Sequence, residues 1–367
     1  NNIIFSVIYK REIQKDNYIY IYILLLCVIG YNYVPPYGED LYRLFIRMEA
    51  YNSFSLYDIV NDFNSLREPL TLLLYLLVNN IGLKGMLPAI AVLIVFYFSF
   101  KVLLDSSNSN ISRYSFVIAF LFLMSRGFFG FTVGNIRTLI AVSIATYGLY
   151  LEFFKSKNFV ASSIYYIIAC SFHVTGVIIL ITRLFFAFFE YEKSWLKKYI
   201  KIGFLILGIS ICIVFFGDLF ENIVMKFDHY TEVSREGDGF FYIWEFIITT
   251  LYILFSLYLI YVYKSIDFRK NNNDMALDNT FNKNFINFML YACMINVIFY
   301  FIDYNVFFRF AFVLSILNIP LYYCIINTIK NNKKSTLMIN AKILCFSFVI
   351  FILELSRGNL CSLKFWE

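Results

Sequence analysis

Long apolar runs separated by short polar joints make up nearly the whole chain, and within the runs apolar residues follow one another without the period-two alternation of a membrane barrel strand. Runs of about 20 such residues match a hydrocarbon core roughly 30 Å thick. The pattern predicts an all-α, polytopic integral membrane helix bundle, with about 11 to 12 transmembrane helices plus one short re-entrant or interfacial segment. Spans are expected at 18–34, 86–104, 114–131, 137–154, 159–173, 174–189, 200–217, 240–263, 284–302, 306–328 and 339–356. All of 1–367 then forms a single transmembrane domain, without internal repeat or soluble domain.

The basic joints orient these spans. Lys10-Arg11-Lys15, Lys101 with Arg113, Lys155-Lys157, Lys193-Lys197-Lys198, Lys264-Arg269-Lys270 and Lys330-Lys333-Lys334 all belong in the cytoplasm. One topology satisfies all six clusters, and it requires 159–189 to cross twice, with a break near His173. Pro69 to Ile81, closed by Gly82, Gly85 and Pro88, is too short for an ordinary crossing and reads as the re-entrant piece. Residues 35–68 and 218–239 become acidic external loops, the first with an amphipathic helix in "LYRLFIRMEAYNSF". Residues 264–283, with "KNNND", become a cytoplasmic linker. The chain begins with Asn and shows no cleavable signal peptide, so a trimmed N-terminal piece is expected.

Composition agrees and removes several classes. The chain is 60% apolar and 15% charged, and its net charge of +6 follows from topology, so nucleic acid is not an expected partner. The 7 cysteines are scattered singly and only 2 histidines exist, which leaves no metal centre to expect. The aromatic load, 44 Phe and 30 Tyr, suits lipid-facing helices as well as sugar platforms.

The informative charges are those that topology leaves unexplained, because ionisable groups at membrane depth are costly unless paired or functional. In "SRGFFGFTVGNIR", Gly127, Gly130 and Gly134 interrupt an apolar run between Arg126 and Arg137, implying a cavity mouth. Asn135 is expected to cap the next helix, placing Arg137 in its first turn, a combination suited to phosphate. Snorkelling of Arg137 to headgroups is the plainer alternative. In "DYNVFFRF", Asp303 and Arg309 make either a salt bridge at a turn or a second guanidinium aimed at the same anion. Asp40 in "PPYGEDLYRLF" and Glu68 in "LREPL" are either solvated acids or bases raised by burial. His173, in "CSFHVTG" with Thr175, either bonds a carbonyl of the adjoining helix or takes a proton from a sugar hydroxyl.

In this order the motifs resemble the EpsG/Wzy-like family of bacterial polysaccharide polymerases. The resemblance rests on Gly38-Glu39-Asp40, Glu68-Pro69, Asn135-Ile136-Arg137-Thr138, Phe172-His173-Val174-Thr175-Gly176 and Phe308-Arg309-Phe310, over roughly residues 10 to 330. Thr138 stands where the family has glutamine, Asn135 stands for a glycine, and the family's first helix is cut down to residues 1–9. The resemblance implies a multi-pass protein of the bacterial cytoplasmic membrane that polymerises undecaprenyl-diphosphate-linked repeat units on the outer face, for O-antigen, capsule or exopolysaccharide. Implied partners are the lipid-linked donor and acceptor, membrane lipid, a chain-length regulator and a flippase; no cofactor is expected. His173, Asp40 and Glu68 are then the candidates for activating the acceptor. Arg137, Arg309 and Arg126 are candidates for the diphosphate, supported by Asn135, Asp303 and Thr175. Two other classes remain, a lipid-linked oligosaccharide transporter and a membrane acyltransferase. The first would normally carry charges along its path and the second would take its donor from the cytoplasm.

Overall fold

The computed structural model describes residues 18–35, 40–51, 53, 55, 57–58, 68–107, 112–126, 128–190, 239–271, 279–302, 304–329 and 332–356. Among them the protein is all-helical. In chain order the helices are α1 (Tyr18–Tyr31), α2 (Asp40–Ala50), α3 (Pro69–Ile81), α4 (Met86–Ser106), α5 (Arg113–Met124) and α6 (Phe128–Gly134). They continue as α7 (Ile136–Leu149, followed by a π-turn over Tyr150–Phe154), α8 (Phe159–Phe172), α9 (Val174–Glu190), α10 (Gly239–Asn271), α11 (Asn279–Ile302), α12 (Tyr304–Ile329) and α13 (Lys333–Ser356). Six described stretches are long and apolar enough to cross a membrane: Met86–Ser106, Arg113–Gly134, Ile136–Phe154, Ile243–Ile266, Val306–Ile329 and Lys333–Leu355. Four shorter apolar helices, α1, α3, α8 and α9, accompany them. The expected span 200–217 and all but the last residue of the expected loop 218–239 lie outside the described residues.

Local chemistry sets the boundaries. Pro69 opens α3 at a position where its missing N–H costs nothing, and Gly82 closes it in the left-handed region at φ 74°. Ser112 accepts the Ser115 N–H at 3.1 Å to start α5, and Asn158 accepts the Ala161 N–H at 2.9 Å to start α8. The expected linker 264–283 is shorter than its polarity implies, because α10 runs on to Asn271 and α11 starts at Asn279. Residues such as Lys264, Arg269 and Lys270 are good helix formers and extend the helix past its apolar part.

The bundle is built around α12, of whose spanning window 89% is buried. It packs against α4, α5, α7, α10, α11 and α13, whereas α13 is peripheral, with 28% of its window buried. On one side α7 packs against α4 and α8, and α8 against α9 and α3. Polar side chains inside the bundle pair with one another: Tyr322 donates to Asn340 Oδ1 at 2.7 Å, and Asn318 to Ser256 Oγ at 2.9 Å. Arg183 on α9 is held by both oxygens of Glu152, which the π-turn after α7 presents, and Tyr166 donates to Glu152 Oε2 at 2.9 Å.

Candidate functional site

Four of the sequence-predicted residues meet at the start of α3. Glu68 occupies the N-cap position of α3, yet its side chain makes no cap bond. It turns instead into the protein, 5% exposed, where Oε2 accepts from Arg137 Nη1 at 3.0 Å. The other oxygen, Oε1, lies 3.8 Å from His173 Nε2. Asp40, the first residue of the amphipathic α2, brings Oδ2 to 3.6 Å from Arg137 Nη2. One guanidinium therefore spans carboxylates from two segments remote in sequence.

Arg137 reaches this place because the chain breaks between α6 and α7. Asn135 stands at the break with φ −129° and ψ 53°, but its side chain makes no cap bond, contrary to the expected capping role. The backbone does the work: the Asn135 N–H donates to Phe131 O at 2.8 Å, and its carbonyl accepts from Leu139 at 3.0 Å. A methyl group added at Gly134 would meet no heavy atom within 4 Å, so the break has space beside it. Gly127 lies outside the described residues.

His173 is the single extended residue between α8 and α9, at φ −164° and ψ 151°. Its Nδ1 accepts the Thr175 N–H at 3.2 Å and lies 2.9 Å from Thr175 Oγ1, so the imidazole caps α9. An accepting Nδ1 leaves the proton of the neutral ring on Nε2, the nitrogen facing Glu68. His173 is thus tied through Nδ1 to a neighbouring backbone N–H. Two contacts fix the corner. Thr71 of α3 donates to the Phe172 carbonyl at 2.7 Å. At Gly176 a Cβ would stand 2.5 Å from the backbone of Ala169, an approach only glycine permits.

Tyr75 was not singled out by the sequence. It follows Glu68 by two helical turns on the same face of α3, is 1% exposed, and lies in electrostatic reach of Arg137, Asp40 and Glu68. Neither its hydroxyl nor Arg137 Nε has a hydrogen-bond partner, although both atoms are buried. That spacing from Glu68 was the available signal.

Arg126 has other partners and does not join this cluster. Fully buried, it donates to the Phe308 carbonyl at 3.1 Å and to Glu245 of α10 at 3.4 Å, with the Phe312 ring 4.4 Å from its guanidinium carbon. In this structure its charge is paired with Glu245 and lies against aromatic rings. Arg309, the neighbour of Phe308, is half-buried on α12. Asp303 lies outside the described residues. Beside α2 there is a cavity of about 340 Å³ lined by Tyr33, Tyr42, Phe45, Glu49 and Lys84 among others, with Glu49 and Lys84 in an ion pair.

Residues 17–365 match the family model described as the EpsG family. No curated protein and no solved structure matches the chain.

Proposed function

Because the chain belongs to the EpsG family, a multi-pass membrane protein of polysaccharide biosynthesis, we propose that it polymerises lipid-linked oligosaccharide repeat units by glycosyl transfer. The reaction is placed on the outer face of the bacterial cytoplasmic membrane, with undecaprenyl diphosphate as the carrier. A hydroxyl of the incoming unit attacks the reducing-end anomeric carbon of the growing chain. The bond from that carbon to the diphosphate oxygen breaks, and the hydroxyl proton passes to a carboxylate.

The observation that carries this reading is the carboxylate pair Glu68 and Asp40 held across Arg137. A general base must stay ionised and aimed, and a guanidinium shared between two acids does both. His173, with its proton on Nε2, supports Glu68 from the other side and does not compete for the hydroxyl proton. The diphosphate needs cations. Arg309 is proposed for that role, together with what Arg137 can supply on giving up a carboxylate. The aromatic cavity beside α2 adds a place for sugar rings to stack, against Tyr33, Tyr42 and Phe45.

The test is genetic and chemical. Deleting the gene should leave single repeat units on the final carrier, whereas loss of a transporter would trap units inside and loss of an acyltransferase would keep chain length but remove a substituent. Arg309→Ala, in normally expressed protein, should cut elongation by about 10²- to 10³-fold. Unchanged chain length in that variant would remove Arg309 from the diphosphate role.

A further inference from the structure

Two hydrogen-bond donors are left over at the Glu68–Asp40–Arg137 cluster, and they define what the cluster is built to hold. Buried polar groups are almost always paired, since an unmade hydrogen bond forfeits the solvation it gave up. The Tyr75 hydroxyl and Arg137 Nε both break that rule, the first two helical turns along α3 from Glu68 and the second on the guanidinium that Glu68 holds. Burial alone does not single out Tyr75. Tyr323 has an equally unpartnered hydroxyl, but sits among the apolar side chains of the core, beside Tyr322. The hydroxyl of Tyr75 instead lies within the electrostatic reach of Arg137, Asp40 and Glu68.

We infer that Tyr75 Oη and Arg137 Nε bind the attacking hydroxyl of the acceptor sugar and place it against the Glu68–Asp40 pair. The inference rests on the polymerase reading above and names the part of the substrate that this site takes. Its basis is a match of chemistry. With both acids ionised, two carboxylates against one guanidinium leave the cluster net negative, which repels a diphosphate. A neutral hydroxyl suits it on both counts: its oxygen accepts from the two orphan donors while its proton is given to a carboxylate. Asp40 and Arg137 keep 31% and 20% of their side chains exposed, which gives the cluster a solvent-facing side, while Glu68 and Tyr75 are buried behind them. In the transfer the hydroxyl proton moves to Glu68 or Asp40, and the freed oxygen bonds to the anomeric carbon as the diphosphate departs. Tyr75 keeps its own proton throughout and acts as a donor to the acceptor oxygen.

The substitution that isolates this role is Tyr75→Phe, which removes one oxygen and nothing else. The probe is the oligosaccharide repeat unit released by acid from the host's own surface polysaccharide, free of lipid and diphosphate. It is titrated against purified full-length protein in lipid nanodiscs. The wild type should bind it, and Tyr75→Phe should bind it about 5- to 20-fold more weakly, the loss of a hydrogen bond from a partly charged site. Thermal unfolding of Tyr75→Phe should be no earlier than that of the wild type, because the hydroxyl has no partner within the protein. In membranes the same variant should need a correspondingly higher acceptor concentration for half-maximal elongation. Equal binding by both proteins overturns the inference, as does absence of binding to the wild type. An earlier unfolding of Tyr75→Phe also overturns it, by showing that the oxygen is structural. Binding requires no turnover, so failure of the polymerase reading shows separately, as absence of any elongation defect in Glu68→Gln.

Discussion

Glu68 illustrates how much one side chain can be asked to do when it leaves its usual post. At the head of a helix an acid ordinarily satisfies backbone N–H groups, but the Glu68 side chain makes no such bond and turns away. Its two oxygens then serve different neighbours, Arg137 on one and His173 on the other. Replacing it by glutamine keeps shape and hydrogen bonding on one side while deleting the charge. Glu68→Gln should therefore reduce elongation by about 10²-fold or more at normal expression, seen as collapse of the polymer ladder to short chains. A full-length ladder in that variant would show that the base lies elsewhere. Asp40, Glu68, Arg137 and His173 were legible in the sequence because a charge at the edge of an apolar run has few bland explanations. Tyr75 was not, since its one mark among 30 tyrosines, the two-turn spacing from Glu68, gains meaning only once Glu68 is seen to meet Arg137. Glu245 was equally silent: its partner Arg126 is 119 residues away, and no spacing rule connects them.

The elements that carry the site are short, and their meeting angles matter more than their lengths. The corner between α8 and α9 was legible from charge alone, because the lysines after α9 demand that the chain turn back near His173. What holds that corner shut was not, since the closeness of Gly176 to Ala169 depends on how two helices cross. In the same way the polar run after residue 264 and the asparagine at 135 misled, because helix continuation and backbone capping answer to neighbours the sequence does not display. A matched pair of substitutions tests the contrast. Gly176→Ala forces a methyl group to 2.5 Å from immovable backbone, so it should lower stability by about 1–3 kcal/mol and displace His173 from Glu68. Gly134→Ala meets nothing within 4 Å and should be close to neutral. Thermal unfolding of the two proteins in detergent checks this: equal midpoints would show that the α8–α9 crossing is looser than described.

At the scale of the whole molecule, the bundle must hold its helix ends in register around α12, and the buried Arg126 ties three elements there. It links the turn after α5, Glu245 on α10 and the Phe308 carbonyl on α12, one residue from Arg309. An ion pair without solvent is a costly way to gain stability, since both charges lose their hydration. Removing one partner is worse, because the other is then left charged in a dry interior. Glu245→Ala should thus destabilise the protein by about 3–5 kcal/mol and reduce the amount that survives in the membrane. Replacing both partners, as Arg126→Met with Glu245→Leu, should restore that amount, because no buried charge is left unpaired and volume is kept. The double variant separates the two roles open to Arg126. If it only fixes the start of α12, polymer of normal length should return along with the protein. If the double variant accumulates normally yet makes no polymer, Arg126 touches the substrate after all and its pairing with Glu245 is a resting state. Immunoblotting of membranes beside a polysaccharide ladder from the same cells gives both quantities at once.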